Sequence, residues 1–154
     1  MSNPTIFTFL ENISFFEVFS KKVKESFASI NNIFIKYISG DYIIREKDHE
    51  EAVYILLKGN VVISKNELPD MVLSQLSPGA VFGEISLMDK RPRSTNVSAV
   101  GEVVSMKLDK VTIKKLPLLM QNKLHQWFIS TLIRRLDDMN EKYLRVSRPA
   151  KNSK

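Results

Sequence analysis

The chain has 154 residues, 44% hydrophobic and 26% charged, the proportions of one globular domain with a sizeable core. It has no cysteine and only two histidines, His49 and His125, so disulfides and thiol chemistry are excluded and a His-based metal or catalytic centre is hard to assemble. The net charge of +6 sits mostly at one end, since residues 134–154 hold seven Lys/Arg against three Asp/Glu; such an end can touch anions or simply be solvated. No run of 18 apolar residues predicts a membrane span. Met1 to Pro4 lacks a signal-peptide pattern, and a cytoplasmic location is expected.

Residues 1–31 read as a helical segment. Phe19, Val23, Phe27 and Ile30 recur at four, four and three, one face of a helix, with Ser20 as its N-cap. From 32 to 108 the pattern changes to short β runs punctuated by turn residues. Phe34 to Ile38 ends at Ser39-Gly40-Asp41, and Tyr42-Ile43-Ile44 is followed by a charged segment, 45–51. Val53 to Leu57 and Val61 to Ile63 flank Lys58-Gly59-Asn60, which predicts a hairpin turn. Met71 to Leu73 predicts a further strand. Asn96 to Val100 and Val103 to Leu108 predict a pair joined at Gly101-Glu102. Eight or so strands at this spacing predict an antiparallel jelly-roll barrel. Beyond 109 the helical period returns. Pro117 opens a helix, and Leu124, Phe128, Leu132, Leu136, Met139 and Tyr143 continue it to about Val146. Residues 147–154 are expected to form a basic, flexible tail. The chain reads as one domain of helical segment, barrel, C-terminal helices (109–146) and tail.

One segment is unlike ordinary strand or turn. Gly83 permits close backbone approach, and the residues after it suffice for a single helical turn whose N–H groups favour an anion. Glu84 stands at that opening as an acceptor. Arg93 brings a planar fork of donors suited to phosphate oxygens, and Ser94 and Thr95 add hydroxyls beside it. An acceptor, an anion hole and a guanidinium in one loop suit a sugar phosphate. A plain alternative stays open on these residues alone: a turn glycine and an exposed Glu84–Arg93 ion pair.

The motif Phe82-Gly83-Glu84-Ile85-Ser86-Leu87, with Pro92-Arg93-Ser94-Thr95-Asn96-Val97 after a short spacer, resembles the phosphate-binding cassette (82–97) of cyclic nucleotide-binding domains. Tyr37 to Asp48 and Val53 to Val61 resemble the family's first barrel strands and glycine turn. The resemblance implies a jelly-roll fold and a non-enzymatic regulatory domain that takes cAMP, or else cGMP, as ligand and has no cofactor or metal. It implies that Glu84 accepts from the ribose 2′-hydroxyl and that the N–H groups of Gly83, Glu84 and Ile85, with Ser86, line the pocket. Arg93 would pair with the cyclic phosphate, aided by Ser94 and Thr95. Arg91, outside the pattern, is a surface residue. A residue of the last helix often covers the purine, which makes Arg134, Arg135, Leu136 and Met139 local candidates, with Arg134, Arg135 and Met139 the expected base caps; Leu136 and Met139 read equally as core, and the two arginines as solvated. Ligand binding would draw that helix toward the cassette.

The sequence departs from the family at Lys47, where many members carry glycine, a change expected to reshape a turn remote from the cassette. Thr95 and Asn96 replace smaller or hydroxylated residues and are expected to narrow the pocket or retune base preference. A DNA-binding regulator needs a helix-turn-helix after the long helix, and about eight residues follow Val146, so specific DNA binding is not expected. A metal-dependent enzyme on the same barrel lacks its histidines. A degenerate barrel acting as a dimerisation module, paired through Leu124, Phe128, Leu132, Leu136 and Met139, is the main alternative, and the same helix could make a sensor homodimeric. No residue names the effector.

Overall fold

The computed structural model describes residues 3–147; of the expected basic tail, residues 148–154 lie outside the described residues. The chain divides into two compact units between Lys115 and Leu116. The architecture is mainly antiparallel β with flanking helices, and it includes a long C-terminal helix.

The N-terminal segment is three short helices, α1 (Asn3–Glu11), α2 (Ser14–Glu17) and α3 (Lys21–Ala28). The Phe19-to-Ile30 stripe does not lie along one helix, because Phe19 precedes the start of α3. Ser20 does cap α3, with extended backbone at φ −63° and ψ 159°, but its hydroxyl makes no capping bond. What joins α2 to α3 is an aromatic cluster. Phe16 and Phe27, both fully buried, meet edge to face at 5.4 Å, and Phe15 and Phe19 pack around Phe16.

The sheet has six strands among the described residues: β1 (Phe34–Tyr37), β2 (Tyr42–Ile44), β3 (Ala52–Ser64), β4 (Ser74–Leu76), β5 (Val81–Phe82) and β6 (Asn96–Asp109). Its order is β1-β6-β3-β4, with β2 also on β6 and β5 also on β3; the sheet is open, not a closed barrel. Met71 to Leu73 lie outside the strands and are exposed.

The two expected hairpins are not hairpins. Each is one long strand, and β3 and β6 pair with each other from Ala52↔Asp109 to Ser64↔Asn96. The register shifts between Leu56 and Asn60, so Lys58-Gly59-Asn60 is a bulge. Gly59 and Gly101 both have positive φ, 83° and 73°. A Cβ on Gly59 would stand 2.3 Å from the Glu102 carbonyl oxygen. Glycine here lets two long strands bend against each other instead of reversing one.

The core lies beneath this pair. Ala52 to Leu57 are all buried, and Ile43, Ile44, Phe82, Val97, Ala99 and Val103 join Tyr54 and Leu56 in one apolar cluster. After β5 comes α4 (Glu84–Asp89), and after β6 comes α5 (Lys110–Lys115).

The second unit is α6 (Leu118–Ser147), a 30-residue helix starting just after Pro117. Its apolar residues divide along its length. Met120, Leu124 and Phe128 are buried, whereas Leu136, Met139 and Tyr143 are exposed.

Candidate functional site

The cassette segment is built on the β3–β5 pairing. Tyr54 sits opposite Phe82 in register, and their rings stack at 5.4 Å and 9°. Gly83 follows in the left-handed conformation, φ 79°, and caps α4. A Cβ there would stand 2.6 Å from Arg93 Nη1, so this position needs glycine both for its backbone and for the close approach of Arg93.

Arg93 is 4% exposed, a burial that demands partners for a guanidinium. Nη1 donates to the Gly83 carbonyl at 2.7 Å and Nη2 to the Ala52 carbonyl at 2.7 Å. The Glu50 carboxylate stands 3.4 Å from Nη2. Nε is buried and has no hydrogen-bond partner. The short bonds therefore go to neutral carbonyls, and one donor edge of a buried cation is left over.

The backbone of Arg93 is gripped as well. Its N–H donates to the Asp48 carbonyl at 2.8 Å, and its carbonyl accepts from Lys47 N–H at 2.8 Å. The Lys47 turn is thus joined to the cassette, not remote from it, and Lys47 holds it with a left-handed φ of 73°. Asn96 likewise does a different job from the one its sequence position suggested. Its buried amide accepts from Glu46 N–H at 2.8 Å and donates to the Asn66 side chain at 2.7 Å, locking the β2–β3 loop to the end of β3.

Glu84, the first residue of α4, is 1% exposed. An exposed Glu84–Arg93 pair is therefore not what forms; the carboxylate beside Arg93 belongs to Glu50. Ser86 is buried, Thr95 and Gly83 are half-buried, and Ile85 and Ser94 are exposed. Arg91 is exposed and pairs with Asp89. Arg134, Arg135 and Met139 lie on α6, Arg135 half-buried and the other two exposed.

A cavity of about 360 Å³ opens onto Arg93, lined also by Tyr42 to Arg45, Asp48 to Glu50 and Tyr54. Of the expected cassette site residues only Arg93 lines it; Gly83, Glu84, Ile85, Ser86, Ser94 and Thr95 do not. Beside it lies a cluster invisible in the sequence. The Tyr54 hydroxyl donates to Glu50 at 2.6 Å, and Lys107 bonds the other Glu50 oxygen. Partial burial works to raise the Glu50 carboxyl, but the bonds from Lys107 and Tyr54 outweigh it and hold the group below its ordinary value. Tyr54 is pushed upward, by burial first and by Glu50 second. The one sequence signal for this cluster is a lone hydroxyl-bearing ring, Tyr54, within an apolar strand. Among the described residues no group of His, Asp and Glu is placed to hold a metal, and no helix is long and apolar enough to cross a membrane.

A family model described as cyclic nucleotide-binding domain matches residues 34–117. The chain is 30% identical over 113 residues to a cAMP-dependent protein kinase regulatory subunit of Dictyostelium discoideum, covering 70% of this chain and 34% of that protein. It thus spans about a third of that relative's length. A cyclic nucleotide-binding domain from Methylobacillus flagellatus has the same fold, with TM-score 0.73 and 20% identity over 97% of this chain and 86% of that one. The regulatory subunit of a cAMP-independent protein kinase A from Trypanosoma brucei matches with TM-score 0.67 and 23% identity, over 95% of this chain and 50% of that one.

Proposed function

This chain belongs to the cyclic nucleotide-binding domain family, and on that premise we propose that it is a non-enzymatic sensor whose ligand is a cyclic nucleotide, cAMP in the first instance. The observation that carries the proposal is the state of Arg93: a buried cation with an unpartnered Nε–H beside a cavity. A phosphate oxygen answers that need with charge and acceptor together.

In this reading Arg93 takes the cyclic phosphate. Gly83, Glu84 and Ile85 supply N–H groups, Ser86, Ser94 and Thr95 line the sugar-phosphate site, and Glu84 accepts from the ribose 2′-hydroxyl; this part of the reading rests on the cassette motif, since among these residues only Arg93 lines the cavity. Arg134, Arg135 or Met139 covers the purine, and nucleotide binding shifts α6 between two states for which the ligand has different affinity. The name of the Dictyostelium discoideum relative, cAMP-dependent protein kinase regulatory subunit, supports both the ligand and a regulatory role; a cytoplasmic location is part of the same proposal. A structural neighbour whose description reads cAMP-independent keeps cGMP, or another ligand of this shape, in the comparison.

Thermal unfolding with cAMP, cGMP and 5′-AMP in parallel tests the reading. A ligand that binds only the native state raises the melting temperature, so a rise with a cyclic species and none with 5′-AMP is expected. No rise with either cyclic nucleotide contradicts it.

A second reading, pairing of two copies through α6, is favoured by the exposure of Leu136, Met139 and Tyr143; Leu124 and Phe128, expected in that pairing, are fully buried and drop out of it. It is compatible with the first. Without nucleotide binding it would make the chain a dimerisation module. Sedimentation equilibrium tests it, with a dimer mass expected and a monomer mass at all concentrations contradicting it.

A further inference from the structure

Glu50 sits where three side chains meet. Tyr54 donates to its Oε2 at 2.6 Å, Lys107 bonds its Oε1, and Arg93 Nη2 stands 3.4 Å from Oε2. The sheet fixes this grouping, because the β3–β6 register places Tyr54 opposite Lys107. Lys107 Nζ lies 6.0 Å from the Tyr54 ring centre, and the Arg93 guanidinium carbon lies 5.9 Å from it.

A carboxylate this close to a guanidinium rivals any incoming anion. Its attraction to Arg93 must be weakened before a phosphate can take its place. The geometry shows how. The short bonds to Glu50 come from Lys107 and Tyr54, and the contact with Arg93 is the long one. We propose that Lys107 is a positioning residue for the nucleotide site: it holds the Glu50 carboxylate back from Arg93 and offsets its charge, leaving the guanidinium available to a cyclic phosphate. This inference rests on Arg93 being the phosphate partner. The lowered Glu50 carboxyl agrees with it, since the group remains charged at neutral pH and needs a cation of its own.

Two other roles predict different results. If Glu50 merely braces Arg93, neutralising Glu50 should weaken binding. If Lys107 attracts the nucleotide directly, its loss should matter whether or not Glu50 is charged. Isothermal titration of the full chain with cAMP separates them. Lys107→Met is expected to weaken binding about tenfold, and Glu50→Gln to bind at least as tightly as the parent. The double variant should return to within about threefold of Glu50→Gln, because there is no carboxylate left to restrain. The ratio of cAMP to 2′-deoxy-cAMP affinity should stay unchanged in Lys107→Met, since only the phosphate end is affected. Lys107→Gln, expected to show the same loss, serves if the Met variant unfolds. Parental affinity in the Lys107 variants overturns the inference, as does a double variant as weak as the single one. No heat from the parent protein refutes the phosphate reading itself, and the inference falls with it.

Discussion

The backbone N–H of Lys47 donates to the carbonyl of Arg93 at 2.8 Å, from a residue whose φ is 73°. A lysine in that region carries a cost of roughly 1–2 kcal/mol from crowding at its Cβ, and here the cost is borne by the loop that grips the cassette arginine.

Lys47→Gly relieves that strain. Part of the gain is offset by the greater chain entropy of glycine, leaving a net stabilisation of about 0.5–1 kcal/mol and a melting rise of about 2 °C. Lys47→Val should move the other way. Differential scanning calorimetry of the three proteins checks the order, and a glycine variant less stable than the parent contradicts it.

The bulge glycines should respond unequally to alanine. At Gly59 a methyl would meet the Glu102 carbonyl at 2.3 Å, and that backbone cannot swing aside. Gly59→Ala should cost about 2–4 kcal/mol. At Gly101 nothing lies within 4 Å of the added atom, so Gly101→Ala should cost only the backbone term, about 1 kcal/mol. Urea denaturation of both variants tests the difference, and equal losses would dispute the bulge.

The same two glycines show what could be read from the sequence. A turn and a bulge both call for a residue with positive φ, so Gly59 and Gly101 looked like hairpin turns. The choice is made by pairing between residues some 44 positions apart, as in Lys58 with Glu102, and no local pattern records that. The cassette was legible because its residues are contiguous and Gly83 is irreplaceable there. Glu50 and Lys107, 57 positions apart, were not. The period of α6 was clear from its leucines, but periodicity does not say which turns are covered. Leu124 is buried and Leu136 exposed on the same stripe.

Acid should act late on Glu102. Bonds from Lys36 and Lys58, each at 2.7 Å, hold its carboxyl at about 2. Its folded value is below the unfolded one of roughly 4.3, so the pairing stabilises the fold above that value. The contribution is lost as pH falls from there through about 2. Carboxyl NMR titration should show the depressed value, and Lys36→Met with Lys58→Met should return it toward the ordinary range. An unmoved titration in the double variant contradicts the assignment.

The ribose assignment of Glu84 has its own signature. Glu84→Ala should weaken cAMP binding about tenfold or more, because a hydroxyl loses its acceptor. It should weaken 2′-deoxy-cAMP far less. Competition binding with both nucleotides decides it, and equal losses for the two remove Glu84 from the ribose.

The central claim is that Arg93 is a buried cation waiting for a cyclic phosphate. Isothermal titration of the parent chain and of Arg93→Lys with cAMP tests it most directly, with circular dichroism confirming that the variant folds. The lysine keeps the charge but cannot reproduce the planar fork. Saturable heat is expected from the parent, and a dissociation constant weaker by about one decade or more from the variant, which loses the fork and not the charge. Equal affinity in both, or no heat from the parent, would contradict the account.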